Sequence, residues 1–411
     1  MRLNLFIFIP KNARLERLAY SIERKADSLI YPLNAKHIMD RKSSIGYRPT
    51  WAQINLDNLA YNFQQIKKLL APQVKIMVCV KADAYGHGLI PVSKRLVSCQ
   101  VDYLGVASID EGIKLRQAGI NVPVLILGLI LKKDIDPIFR YKLTTTICDE
   151  ELASALNNQA KVSGGPINVH IKVDTGMGRI GVLPQDAVKL VKKIHKLKFI
   201  NIEGIFTHLA FADLNREFTL YQIDLLSRLL QKLKGEGIHI PLVHAANSMG
   251  VIGYKKSHFN MVRPGLIIYG LYPKKNLKIN LKAVLSLRTK IIFVKRLPAD
   301  HGVSYGHDYI TKNTTTIVTL PIGYGDGYPR NLSNRAPLLI GGRRFQISGR
   351  ICMDQIMVDV GDLRPRIGDE AVLIGHQGEN KITAEELAGL CGTIPYEIVC
   401  GLGSRVPRLY V

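Results

Sequence analysis

The chain has 411 residues, too many for one ordinary domain and enough to bury two cores. Hydrophobic residues make up 47% and charged residues 22%, and no apolar run approaches the ~20 residues that span a bilayer, so a membrane protein is not expected. The formal charge of +23 is spread along the whole length, without a recognised nucleic-acid motif; attraction to small anions accounts for it as well as nucleic acid does, and no nucleic-acid partner is expected.

Residues 1–46 stand apart. Leu15, Leu18, Ala19, Ile22, Ala26 and Leu29 keep helical spacing, with Arg14, Arg17, Arg24 and Lys25 on the polar side. Glu16, Glu23 and Asp27 argue against a transit peptide, and the cluster around Phe6–Ile9 is short for a secretory signal. We read 1–46 as an N-terminal extension, flexible or weakly helical. Six scattered cysteines (Cys79, Cys99, Cys148, Cys352, Cys391 and Cys400) form no CxxC, which suggests neither zinc nor disulfides and predicts a cytoplasmic location.

Regular patterning begins at Tyr47. Trp51–Leu56 reads as a strand, followed by a helix capped by Asp57 with Leu59, Phe63, Ile66 and Leu70 on one face. Short apolar strands then alternate with amphipathic helices, at 74–80, 103–106, 124–127, 144–147, 167–173, 202–207, 242–244 and 262–269. Eight strands so spaced predict an α/β fold, a (β/α)8 TIM-type barrel over 47–282, with a doubly wound sheet as the alternative. Past Tyr272 the helical stretches give way to β-rich runs at Ala283–Leu297, Thr314–Leu320, Arg344–Ile347 and Gln355–Val360. One helix is expected at Thr383–Leu390, where Thr383 and Glu386 have capping-box spacing. A mostly β C-terminal domain over 283–411 follows.

In a parallel barrel, chemistry gathers where the strands end. The first strand (VKIMVCV, 74–80) runs into Lys81, with Tyr85 beyond it in a small, Gly-rich turn. Desolvation at the mouth of an apolar strand frees an amine lone pair, as a Schiff-base lysine requires. Later strand ends bring Lys172, Asp174 and Arg179, then Thr207-His208, then His244 to Ser248, and finally Arg263-Pro264-Gly265. Taken singly, each has a plain structural explanation: a core histidine, an ion-pair partner, a helix cap, a tight turn. Jointly they offer a lysine nucleophile, two arginines, and donors where barrels often bind phosphate. Pyridoxal phosphate (PLP) fits this set; a Schiff-base aldolase acting on a sugar phosphate fits it too. No metal site is suggested.

The runs RPTW (48–51), VKADAYGHG (80–88), KVDTGMGRIG (172–181), THLA (207–210), HAANS (244–248), MVRPG (261–265), VSYG (303–306), IGYGDGYPR (322–330), ICMDQ (351–355) and PYE (395–397) closely resemble those of alanine racemases, the fold-type III PLP enzymes, in the same order. The resemblance covers residue 48 to the C-terminus. It implies a homodimer acting on alanine, with active sites shared between subunits. By it, Lys81 bears the cofactor; Tyr85, Ser248, Gly265, Leu266 and Tyr396 hold the phosphate; and Arg263 faces the pyridine nitrogen. Arg179 and the Met353 N–H meet the substrate carboxylate, with Lys172 and Asp354 in support. Lys172 matches a position that is carbamylated in some members.

The resemblance also implies two bases on opposite faces of the substrate, Lys81 for D-alanine and Tyr305 from the other subunit for L-alanine. A free tyrosine has pKa ~10, so Tyr305 needs a helper, and His208 in a network with Arg263 is the candidate. Three neighbouring families compete. PLP-carrier proteins lack the VSYG and ICMDQ runs, and fold-type III decarboxylases place a cysteine motif opposite the lysine. Broad-specificity racemases share both bases and are the nearest rival. D-alanine for peptidoglycan is the expected product.

Overall fold

The computed structural model describes residues 47–274 and 276–411, so the basic helical pattern at 14–29 lies outside the described residues. Eight parallel strands close into a barrel: β1 (Lys75–Cys79), β2 (Tyr103–Val106), β3 (Val124–Ile126), β4 (Thr144–Ile147), β5 (Ile167–Lys172), β6 (Ile200–Phe206), β7 (Leu242–His244) and β8 (Met261–Val262). Closure is made by β8 against β1, in the register Lys75–Met261 and Ile76–Val262. Inside, Met77, Tyr103, Leu125, Leu242 and Met261 pack against one another and plug the lumen. Outside, the strands bury Val, Ile and Leu against the surrounding helices.

The eighth strand departs from expectation. It spans two residues instead of 262–269, because Pro264 has no N–H for the ladder. Leu266–Tyr269 instead forms a 3₁₀ turn whose start is tied down by the Ser248 hydroxyl. The first helix, Leu56–Lys67, is capped by Asn55 rather than Asp57: Asn55 Oδ1 accepts from Asn58 N at 2.8 Å. Asp57, one residue inside the helix, pairs with Arg95 at 2.7 Å.

The strand Thr50–Ile54 is not part of the barrel. It pairs antiparallel with Leu285–Lys290 and parallel with the C-terminal Arg408–Tyr410. The resulting sheet runs Arg343–Gln346, Pro337–Ile340, Glu370–Gln377, Leu285–Lys290, Thr50–Ile54, Arg408–Tyr410, with Asn380–Ile382 hairpinned onto Glu370–Gln377. A second sheet joins Phe293–Leu297, Thr315–Leu320 and Ile356–Asp359. Sequence patterning missed Pro337–Ile340, Glu370–Gln377 and the second helix, Pro395–Cys400. The middle of the strand Glu370–Gln377, residues 371–375, is an unbroken apolar run, so it shows no period-2 signal. The expected helix forms at Ala384–Cys391 with half a capping box: Thr383 Oγ1 accepts from Glu386 N, while the Glu386 carboxylate goes to Arg344.

Asn62, on the first helix, fastens the barrel to the segment that leaves it. Its amide donates to Ile268 O (3.0 Å) and Lys282 O (2.8 Å), and its carbonyl accepts from Lys282 N (2.8 Å). Asn62 is fully buried, so truncating it strands backbone groups away from water. Asn62→Ala is expected to lose roughly 2–4 kcal/mol, since each stranded group costs about 1–3 kcal/mol. Chemical denaturation checks this, and a loss under about 1 kcal/mol would show that water or neighbouring groups replace the clamp.

Candidate active site

Lys81 follows β1 at the head of an unusual turn. Ala82, Asp83, Ala84 and Tyr85 all lie in the left-handed region, with φ of 53–55°. For L-residues this conformation costs on the order of 1–2 kcal/mol each, so the surroundings must hold it in place. Ala82 N donates to Glu111 Oε1 at 2.6 Å, and Leu89 N to Asp83 Oδ1 at 2.7 Å. The β-domain closes over the turn. Arg408 Nε donates to Gly86 O at 3.0 Å, and a Cβ on Gly86 would meet Val399 O at 2.2 Å. At Gly88 a Cβ would strike the Tyr410 hydroxyl at 1.9 Å. Lysine placement therefore depends on both domains.

A cavity of about 500 Å³ opens at this end of the barrel. Lys81, Tyr85, Lys172, Arg179, His208 and Ser248 line it, as do Arg263, Gly265, Leu266 and Tyr396. One wall is a cradle. Ser248 Oγ accepts from Gly265 N at 3.1 Å, which joins the start of the helix Ser248–Gly253 to the turn after β8. The first N–H groups of both elements lack intrahelical acceptors. A Cβ at Gly265 would stand 2.4 Å from the Tyr85 hydroxyl, so only glycine lets that phenol reach the cradle. Tyr85 packs between Tyr269 and Tyr396, with ring centroids at 4.8 and 5.7 Å. Burial pushes the Tyr85 phenol well up and Tyr396 to about 12, so both remain neutral hydroxyls with a proton to donate. Such a set of donors suits a phosphate-bearing cofactor.

The floor is cationic. Arg263 is 4% exposed; its Nη1 donates to His244 Nδ1 (2.7 Å) and its Nη2 to Thr207 O (2.6 Å) and Ala245 O (3.2 Å). Burial lowers it to about 10, which leaves it charged near neutrality. Lys172 Nζ donates to Val173 O at 2.9 Å and falls to about 8, through burial first and the Arg263 charge second. His208 falls to about 3, by burial and then by Arg263 and the other cations, and is a neutral imidazole. Gln222 braces the loop beneath it, donating to His208 O at 3.1 Å and accepting from Ala210 N at 2.9 Å.

Tyr305, Met353 and Asp354 do not line this cavity. Tyr305 (70% exposed) and Met353 (53%) are neighbours on the β-domain, linked by a Ser304 Oγ–Cys352 Sγ contact of 3.5 Å. The Cys352 and Met353 carbonyls accept from Tyr324 N (3.0 Å) and Gly325 N (2.9 Å), which fixes the loop's backbone. Asp354 Oδ1 takes Arg405 Nη2 at 2.5 Å, and its carbonyl takes Arg48 Nη2 at 2.9 Å. The predicted residues thus fall into two groups: a cavity group, and a surface group facing outward.

Sequence reasoning missed Glu111, the anchor of the lysine turn, and the lining residues Leu127, Phe206, Ile394 and Cys400. Asn247, read within the run His244–Ser248 as a possible helix cap, does cap that helix, accepting from Gly250 N at 3.0 Å, and it also lines the cavity. Leu127 and Ile394 carried no usable signal, being ordinary apolar residues.

Two family models match the chain: the alanine racemase N-terminal domain over residues 54–273 and the alanine racemase C-terminal domain over 284–410. Alanine racemase of Halothermothrix orenii is 49% identical over 367 residues, 88% of this chain and 97% of that protein. That of Carboxydothermus hydrogenoformans is 45% identical, covering 89% of this chain and all of its own. The solved alanine racemase of Clostridium difficile 630 superposes with a TM-score of 0.84 at 41% identity, over 88% of this chain and 96% of that one.

The buried imidazoles set an acid limit. Burial holds His87 at about 4 and His208 at about 3, whereas in the unfolded chain each titrates at ~6.5. Below about pH 6.5 the unfolded state binds protons that the folded state refuses, so stability falls as pH drops toward about 4. The expected loss is up to about 1.4 kcal/mol per histidine per pH unit. Thermal unfolding from pH 7 to pH 4 checks it; a level Tm over that window would mean that these rings protonate in the folded protein.

Proposed function

The chain belongs to the alanine racemase family and is an isomerase interconverting L- and D-alanine, and we propose that it does so with PLP carried by Lys81 and two bases drawn from two subunits. The observation that carries this is the convergence of Lys81, the Ser248–Gly265–Tyr85 cradle and Arg263 on one cavity. Tyr85, Ser248, Gly265, Leu266 and Tyr396 fit the phosphate. When bound, PLP supplies an electron sink that acidifies the substrate's Cα–H. Arg263 only donates hydrogen bonds, so beside the pyridine nitrogen it would leave that atom unprotonated and would limit side reactions such as transamination. Supplying D-alanine for peptidoglycan is the general role of the family.

Lys81 Nζ removes and returns the Cα proton on one face and Tyr305 Oη on the other, with neutral His208 assisting Tyr305. Arg179 and the Met353 N–H receive the substrate carboxylate. Tyr305 and Met353 are exposed on the β-domain, which supports a homodimer in which each subunit completes its partner's cavity. We take residues 47–282 as the PLP-binding barrel, 283–411 as the β-rich domain and 1–46 as an extension. A cytoplasmic location is supported by six free thiols. Among the described residues no helix is long and apolar enough to cross a membrane.

Lys172, with a substantial uncharged fraction at neutral pH, adds through Nζ to carbon dioxide. The N–C bond forms, one proton leaves, and the carbamate anion faces Arg179. With ¹³C-bicarbonate, a carbamate carbon signal is expected in the native enzyme and not in Lys172→Ala; its absence from the native enzyme would leave Lys172 a plain amine.

Racemisation itself is followed in deuterated water from each enantiomer. Tyr305→Phe should slow Cα exchange from L-alanine by about 10²-fold or more and far less from D-alanine, with the reverse pattern excluding Tyr305 as the L-specific base. Lys81→Ala should be inactive. Co-expressing the two variants should restore about a quarter of wild-type activity, since half the dimers then carry one intact site of two. No recovery would place both bases on one chain.

A further inference from the structure

A single chain of hydrogen bonds crosses the barrel core beneath the cavity. Arg263 Nη1 meets His244 Nδ1 at 2.7 Å, His244 Nε2 meets His170 Nδ1 at 2.8 Å, and His170 Nε2 meets Glu203 Oε2 at 3.0 Å. Both imidazoles are fully buried. The chain has only one possible polarity. Arginine can only donate and a carboxylate can only accept, so each ring between them must carry its proton on Nε2 and its lone pair on Nδ1. A second proton on either ring would set two N–H groups head to head. Arg263's other partners are two backbone carbonyls, so Glu203 is the carboxylate that this hydrogen-bonded path reaches.

The fold is built to make this connection. Strand β5 pairs Val169 with Ile202 but His170 with Gly204, so Glu203 is the extra residue of a β-bulge. Regular alternation would send it to the opposite face from Gly204; the bulge re-aims it toward His170. Gly204 leaves the room the imidazole occupies: a Cβ there would lie 2.4 Å from His170 Nδ1. Phe206 stacks on His244 at 4.6 Å and 6°, fixing the plane of that ring. Tyr103 OH (3.1 Å) and Asn168 Nδ2 (2.9 Å) both donate to Glu203 Oε1, leaving Oε2 for the histidine.

We infer that Glu203 and His170 are positioning residues for Arg263, a one-way relay in which the Nε2–H of each ring is taken up in turn and the Glu203 carboxylate anchors, through two neutral imidazoles, the ring that holds the guanidinium in the cavity floor. Burial holds both imidazoles below their usual range, which agrees with neutral rings. The effect on the cofactor rests on the proposed contact of Arg263 with PLP; the hydrogen-bonded relay does not.

The test uses holoenzyme labelled with ¹⁵N-histidine. In the native protein two imidazoles should show bare Nδ1 and protonated Nε2. Glu203→Leu removes the acceptor. Arg263 alone still holds both rings as Nε2–H tautomers, so the change should appear at the His170 Nε2–H proton, shifted upfield to the range of an unbonded imidazole N–H, with a fall in PLP affinity of tenfold or more. Glu203→Gln, which still accepts through its amide oxygen, should restore the native ring signals. If Glu203→Leu does not fold, Glu203→Asp draws the carboxylate back by about one 1.5 Å bond and should shift the same proton upfield. A native His170 Nε2–H signal in whichever of these two folds would overturn the relay, whatever the cofactor does. Arg263→Lys separates the two ideas: native-like PLP affinity there, with the Glu203 variants behaving as stated, removes the cofactor contact and leaves the relay standing.

Discussion

A guanidinium sealed inside a β-barrel must have its hydrogen bonds and charge answered within the protein, and Arg263 sets that demand here. Two backbone carbonyls and one imidazole nitrogen answer the hydrogen bonds. The same charge then shapes its neighbourhood. It adds to burial in lowering Lys172 to about 8 and His208 to about 3, and it helps keep His244 neutral. A permanent cation flanked by the neutral imidazoles of His208 and His244 favours an anionic or lone-pair-bearing occupant. The attraction is local, and the chain's overall basicity is not needed to explain it.

The second constraint is conformational. Four consecutive left-handed residues after Lys81 aim the lysine into the cavity and bring Tyr85 to the cradle. A local sequence preference would not choose this turn. It is held by Glu111 from the neighbouring barrel helix and by Arg408, Val399 and Tyr410 from the β-domain. The two domains are therefore joined at the turn that carries Lys81.

Most of the barrel and its cavity were legible because both rest on local signals. Apolar runs of strand length alternated with helical periodicity, and reactive residues recurred at the strand ends. What escaped depended on contacts distant in sequence. Thr50–Ile54 reads as a strand, yet its place beside Leu285–Lys290 and Arg408–Tyr410 is invisible locally. The strand expected over 262–269 stops at Val262, because Pro264 has no N–H for the ladder. Alternation along β5 puts His170 on the same face as Lys172, but the inward turn of Glu203 depends on a bulge that no period-2 pattern shows. Recognition of Tyr305 and Met353 rested on resemblance alone, since nothing in their neighbourhood marks an exposed turn as catalytic.

That exposed turn is nonetheless built with care. Ser304 and His307 hold left-handed backbones, at φ 69° and 50°, and Ser304 Oγ donates to Arg350 O at 2.6 Å. A Cβ on Gly306 would crowd the Arg350 guanidinium at 2.8 Å, and that guanidinium is itself paired with Asp308. A solvated loop has no need of strained residues fixed at several points, whereas one that must present a phenol in a set direction does. Racemisation needs proton transfer on two opposite faces of one carbon. The barrel cavity supplies a lysine from its own wall, and Tyr305 is not among the residues that line it. An outward-facing tyrosine on one domain and a lysine-bearing cavity on the other are complementary halves. A two-fold pair of chains brings such halves together twice with one interface, which makes the dimer a requirement of the chemistry under the two-base reading.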